Sequence, residues 1–168
     1  MKYFFFFLLI LLPLSCRKQA PQLPSNKGGE VDGQAVALLG INKTIANEED
    51  SLLLRYVSTI DSVFEKNNAG FWYRIHKRGN GEPVQEKMLV TISYQVYLLD
   101  NNIISETTYQ SVEIGKKQLP TGLEEGLKLM RKGESATFIV PWYIAYGMKG
   151  KGEIPPYTSV IFEVKLAN

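Results

Sequence analysis

Val90, Ile92, Tyr94, Val96 and Leu98 occupy alternate positions of one stretch, and Asp100-Asn101-Asn102 closes it with turn-forming residues. Side chains of a strand point alternately to its two faces, so this spacing buries one face and leaves the other in water. Phe71, Tyr73 and Ile75 repeat the pattern against Trp72, Arg74 and His76, and the turn sequence Gly79-Asn80-Gly81-Glu82-Pro83 follows. Further strands are expected near Ile103 to Ser105, Val112 to Ile114, Ser135 to Val140 and Ser159 to Leu166. Between them Leu123, Leu127 and Met130 recur at i, i+4, i+7, with Glu124 and Glu125 in the first turn, Arg131 and Lys132 in the last, and Gly133 as the stop. The fold class is therefore α+β: a twisted antiparallel sheet wrapped on one short helix.

Upstream of this domain the chain has three parts. Residues 1–15, MKYFFFFLLILLPLS, place Lys2 before an apolar run and read as an export signal. That run is shorter than the about 20 apolar residues a membrane-spanning helix needs. Cys16, the only cysteine, follows Ser15 in a pattern that resembles a bacterial lipoprotein signal, apart from Pro13 where an aliphatic residue is usual. It is the expected lipidation site and so the mature N-terminus. Arg17 rather than Asp after that cysteine resembles lipoproteins destined for the outer membrane, on its periplasmic side. Residues 16–46 are expected to be a flexible linker, and AVALLGI within them is too short to classify. Residues 47–69 are expected to form an amphipathic helix. Asn47 is its N-cap, Glu48, Glu49 and Asp50 fill its first turn, Leu53, Tyr56, Val57, Ile60 and Phe64 form its apolar face, and Asn67-Asn68-Ala69-Gly70 stop it. The helix either packs on the domain at 70–168 or pairs with a second copy in a homodimer.

Composition and motif content exclude many activities. A formal net charge of +2 on 168 residues gives no electrostatic reason to bind nucleic acid. With one histidine, His76, and one cysteine, neither a His-based triad nor a multi-histidine metal site can be assembled, and no cofactor or metal is implied. Gly147, Gly150 and Gly152 flank two lysines but match no phosphate-binding motif. Glu124 and Glu125 are adjacent on a helix, point in different directions and cannot act as a carboxylate pair.

The run PWYIAYGMKGKGEIPP (Pro141 to Pro156), read with GLEEGLKLMRKGE (Gly122 to Glu134), closely resembles the FKBP family of peptidyl-prolyl cis/trans isomerases. The resemblance extends from about Gly70 to Leu166 and implies an FKBP-like fold. The lipidated, helix-bearing layout further resembles gliding-motility-associated lipoproteins of that family. Residue by residue, Tyr94 matches the tyrosine forming one wall of the family's pocket. Tyr146 matches the tyrosine whose hydroxyl donates to a ligand carbonyl, and Ile154 and Phe162 match the residues completing the cavity. With Ile104, Leu119 and Leu123 these form the expected pocket, Leu123 as its floor. Ile104 and Ser105 stand where the family usually has Phe and Asp. Pro120 lies near the position whose backbone N–H holds a ligand carbonyl, and proline has none. Tyr109 or Gln110 replaces a further aromatic.

The resemblance implies a prolyl isomerase acting on proline-containing segments of unfolded or exported proteins. The absence of an obvious acid, base or nucleophile fits, because rotating an amide breaks no covalent bond. The alternative is a non-catalytic module of the same fold, used as a chaperone surface or in a secretion or motility assembly.

Overall fold

The structure is a computed structural model and describes residues 33–167. The expected signal, Cys16 and the first part of the expected linker lie outside the described residues.

Helix α1 spans Gly33–Thr59 and begins well before Asn47, which is an interior residue and not an N-cap. Residues 33–46, expected as linker, are thus helical. Ala35, Ala37, Leu38, Leu39, Lys43 and Ala46 are favourable helix formers with no proline among them, and a nucleated helix propagates by one hydrogen bond per residue fixed. The helix also ends before Phe64. The Ser58 and Thr59 hydroxyls donate to the carbonyls of Arg55 and Tyr56 at 2.6 and 2.7 Å, drawing the last turn away from the regular ladder.

The strands are β1 (Glu65–Lys66), β2 (Trp72–Lys77), β3 (Leu89–Leu98), β4 (Ile103–Glu113), β5 (Ser135–Val140) and β6 (Val160–Leu166), with α2 (Thr121–Leu127) between β4 and β5. They form a sheet in the order β1-β2-β5-β6-β3-β4, antiparallel throughout. The reversal at Asp100 is as expected: Asn101 has a φ of +66° and Asn102 N–H donates to Asp100 Oδ1 at 3.0 Å. Two short strands were expected where β4 runs unbroken. The intervening residues Glu106 to Gln110 lack apolar alternation because β4 is an edge strand, whose backbone pairs with β3 while most of its side chains face water. Its pairing slips twice, between Ile92 and Tyr94 and between Val96 and Tyr97, so β4 contributes extra residues there. Tyr109, at φ +38° and largely exposed, sits in the first of these bulges.

The main core lies between the inner face of the sheet and α2. Val90, Ile92, Val96, Phe138, Phe162 and Val164 meet Leu123, Leu127 and Met130 there. Met130 lies past the end of α2, which stops at Leu127, so Arg131 and Lys132 also fall outside the helix. Two glycines let α2 approach β5. A Cβ on Gly122 would stand 2.4 Å from Val140 Cγ1, and one on Gly126 would stand 2.8 Å from Phe138 Cε1. Glycine costs about 1 kcal/mol against alanine in a helix, so its presence at both contact positions reflects the close packing.

The outer face of the sheet is covered in part by the end of α1. Leu53 packs with Ile139 and Ile161, and Tyr56, Val57, Ile60, Phe64 and Trp72 surround them. The sheet thus carries a helix on each face. Continuous apolar runs in β5 (Phe138-Ile139-Val140) and β6 (Val160-Ile161-Phe162) supply side chains to both layers. Nearer the start of α1, Ile41 and Ile45 are exposed.

Candidate active site

Phe162 is fully buried on the inner face of β6, and two tyrosines lean on it. Tyr94, on the neighbouring strand β3 and diagonal to it, meets its ring edge-on with centroids 6.0 Å apart, and Tyr146 approaches at 6.1 Å with planes tilted by 42°. Leu119, Leu123 and Ile154 are buried in the same apolar cluster, and Ile104 is half-buried against it. The seven expected site residues, on β3, β4, the turn before α2, α2 itself, the loop after β5 and β6, thus all belong to the main apolar core, and Tyr94 and Tyr146 meet Phe162 directly.

Local geometry explains how each arrives. Ile104 lies at the second register slip of β4, between Ile103, paired with Tyr97, and Ser105, paired with Val96. Ser105 itself is exposed. Pro120 caps α2 in an extended conformation, with its carbonyl accepting Glu124 N–H at 3.0 Å. Ile154 closes a tight reversal in which it exchanges backbone hydrogen bonds with Lys151, each 3.0 Å long. Gly150 permits that reversal: its φ is +65°, and a Cβ there would lie 2.1 Å from the Ile154 carbonyl oxygen.

The Tyr146 hydroxyl is a polar group within the cluster. Burial, and then the neighbouring Tyr94 hydroxyl, push its pKa well above that of an ordinary phenol, so it stays a protonated donor. Lys151 Nζ lies 5.8 Å from the centre of its ring. The arrangement offers an apolar, aromatic-walled surface with two phenolic hydroxyls, of which Tyr146 is the more buried donor candidate. Among the described residues no group of three or more His, Cys, Asp or Glu side chains is placed to hold a metal ion.

Other polar features lie elsewhere. His76 is on the outer face, its Nε2 2.8 Å from Thr137 Oγ1, and burial followed by the Arg74 charge hold its pKa below the usual value. A groove of about 190 Å³ beside it is bordered by Ser93, Gln95, Glu163 and Lys165, and Tyr94, Ala136 and Val164 of the apolar core reach it. Glu124 was expected only to offset the helix dipole. It also accepts Gly115 N–H at 3.0 Å and ties the loop after β4 to α2. The roles of Glu49 and Asp50 were missed. They lie in mid-helix, where Asp50 pairs with Lys66 at 2.9 Å and Glu49 accepts a hydrogen bond from Ser159. Their adjacency to apolar residues reads equally well as a first helical turn, so the sequence carries no signal of these partners.

A sheet of this order with one helix on its inner face and an aromatic cluster between them defines an FKBP-like fold. Residues 80–167 match the family model described as FKBP-type peptidyl-prolyl cis-trans isomerase, and the chain belongs to that family. The probable FKBP-type peptidyl-prolyl cis-trans isomerase FkpA of Neisseria meningitidis is 33% identical over 101 residues, which are 58% of this chain and 37% of that protein. FkpA of Escherichia coli K12 is 28% identical over 102 residues, 60% of this chain and 38% of that protein. This chain therefore spans well under two thirds of the length of these curated relatives. The crystal structure of Escherichia coli FkpA superposes with a TM-score of 0.63 at 23% identity, over 80% of this chain and 65% of that one. That of AtFKBP13 gives 0.61 at 20% identity, over 64% of this chain and 98% of that one.

Proposed function

We propose that this chain is a prolyl cis/trans isomerase that assists the folding of exported proteins while held at a membrane by acyl chains on Cys16. The observation that supports the reading is that Tyr94 and Tyr146 both lean on Phe162, within the apolar core to which Ile104, Leu119, Leu123 and Ile154 also belong. A planar prolyl amide owes its stiffness to a charge-separated resonance form, with a barrier of about 18 to 20 kcal/mol. That charge separation fades as the bond twists, so an apolar site disfavours the planar form more than the twisted one. Acceleration of about a hundred-thousandfold corresponds to roughly 7 kcal/mol of such differential stabilisation. Tyr146 fixes a substrate carbonyl while the remaining side chains hold the proline ring. Among the described residues no helix is long and apolar enough to cross a membrane. The destination is the periplasmic side of the outer membrane. The lipidated, helix-bearing layout resembles that of gliding-motility-associated lipoproteins of the family.

Two observations favour a second reading, a non-catalytic binding module. Pro120 supplies no N–H at the mouth of α2, and the exposed Ser105 offers no carboxylate to order a polar rim. The exposed Ile41 and Ile45 also suit α1 to pairing with a second copy. Protease-coupled isomerisation of peptides varied at the residue before proline tests the enzyme. Catalysis well above the uncatalysed rate supports the first reading, and peptide binding without it supports the second.

A further inference from the structure

We infer that Glu49 and Asp50 of α1 are positioning residues for the loop that carries Tyr146, so that the helix preceding the family domain is part of the active-site scaffold. The inference rests on the isomerase reading for its catalytic consequence and on geometry for the contacts. Both carboxylates lie outside the residues that match the family, 80–167.

The loop leaves β5 at Pro141 and reaches Tyr146 through a single turn at Trp142–Ile144. Trp142 N–H donates to Ser159 Oγ at 2.9 Å, and the buried Ser159 hydroxyl in turn donates to the Glu49 carboxylate. A hydroxyl has one proton, so giving it to Glu49 turns the oxygen lone pairs toward Trp142 N–H. One residue on, Tyr143 Oη donates to Asp50 Oδ1 at 3.4 Å, while Asp50 Oδ2 holds Lys66 at 2.9 Å. Burial, then the Asp50 charge, its hydrogen bond and the Glu49 charge push the Tyr143 hydroxyl up to about 12, so it remains a donor. Tyr143 Oη also lies against Gly70, where a Cβ would stand 3.1 Å away at a φ of +98°. The Trp142 ring is wedged edge-on between Tyr143 and Tyr157, at 5.6 and 5.0 Å, and Tyr157 N–H closes the far side on the Gly147 carbonyl at 3.1 Å. Two α1 carboxylates thus fix consecutive residues of a segment whose next turn places Tyr146.

The test uses the full chain with Glu49→Ala, Glu49→Gln and Asp50→Ala, reading kcat/KM and amide hydrogen exchange at Trp142. Alanine is the best helix former, so a role confined to α1 predicts no loss from Glu49→Ala. The clamp predicts about tenfold faster exchange at Trp142 and about fivefold lower kcat/KM in Glu49→Ala, with β3 and β6 amides unchanged. Glu49→Gln, which keeps an acceptor oxygen, restores most of both. Asp50→Ala lowers kcat/KM in the same direction. Unchanged Trp142 exchange in Glu49→Ala, equal losses in Glu49→Ala and Glu49→Gln, or faster exchange with unaltered kcat/KM overturns the inference. A wild-type chain without isomerase activity overturns the isomerase reading instead and leaves Trp142 exchange to decide the contacts.

Discussion

Replacing Leu123 by alanine separates a pocket floor from ordinary core. Leu123 is fully buried at the start of α2, in the cluster that contains Tyr94, Tyr146 and Phe162. The substitution deletes three carbon atoms, a transfer loss of about 2.4 kcal/mol at roughly 0.8 kcal/mol per carbon. The cavity left behind adds to that in proportion to how little the surroundings relax, which spreads such substitutions over about 2 to 5 kcal/mol. Relaxation is restricted here because Gly122 and Gly126 already set α2 at contact distance on Val140 and Phe138, so the helix cannot sink toward β5. The expected cost is therefore in the upper half of the range, about 3.5 to 5 kcal/mol. Urea unfolding followed by tryptophan fluorescence measures it, with an unchanged slope confirming that the folded and unfolded states are otherwise alike. Activity is then read at a temperature where the variant remains folded. A loss under about 1.5 kcal/mol would refute the rigid seating of α2. Full kcat/KM in the folded variant would refute the floor role and leave Leu123 as core alone. Leu123→Trp is the complementary probe: it improves affinity for apolar prolyl peptides if the cavity has room and costs about 1 to 3 kcal/mol of stability if it does not.

Tyr146→Phe removes one hydrogen bond worth about 1 kcal/mol and should slow turnover by about fivefold to tenfold without abolishing it; complete loss would indicate a chemical role for the hydroxyl. Because the Tyr146 pKa is raised and its folded-state donor form persists, kcat/KM measured from about pH 6 to 8.5 should be nearly flat, and a bell-shaped profile would contradict catalysis by desolvation. Gly126→Ala gains about 1 kcal/mol of helix propensity but drives a methyl into the buried Phe138 ring, at a cost of about 1 to 3 kcal/mol, so thermal unfolding should show no net stabilisation. Cys16→Ser should leave the domain folded and release it from the membrane fraction, since each buried acyl CH₂ contributes about 0.8 kcal/mol to anchoring; retention after signal removal would mean a second anchor.

The sequence by itself determined what depends on neighbours along the chain. Alternation in Val90 to Leu98 assigned β3 and its buried face, the i, i+4, i+7 spacing of Leu123, Leu127 and Met130 located α2 and its inward side, and Asp100-Asn101-Asn102 supplied the reversal. All seven residues named from the pattern of one family's pocket belong to the main apolar core, but only Tyr94, Leu123 and Phe162 sit on elements whose inward face was legible locally; Ile104 lies at a strand slip and Leu119, Tyr146 and Ile154 lie in turns, where only the resemblance pointed to them. Decisions that depend on partners far along the chain were not legible. The order β1-β2-β5-β6-β3-β4 sets β2 beside β5, across α2 and two strands, and no local period encodes that pairing. The polar middle of β4 reads as loop because an edge strand is held by backbone hydrogen bonds, which carry no side-chain signature. Glu49 and Asp50 look like helix-start residues until the fold brings Ser159 and Tyr143 beside them, 110 and 93 positions away. Local periodicity fixes which face of an element is apolar, whereas tertiary packing alone decides what that face, or a charge beside it, meets.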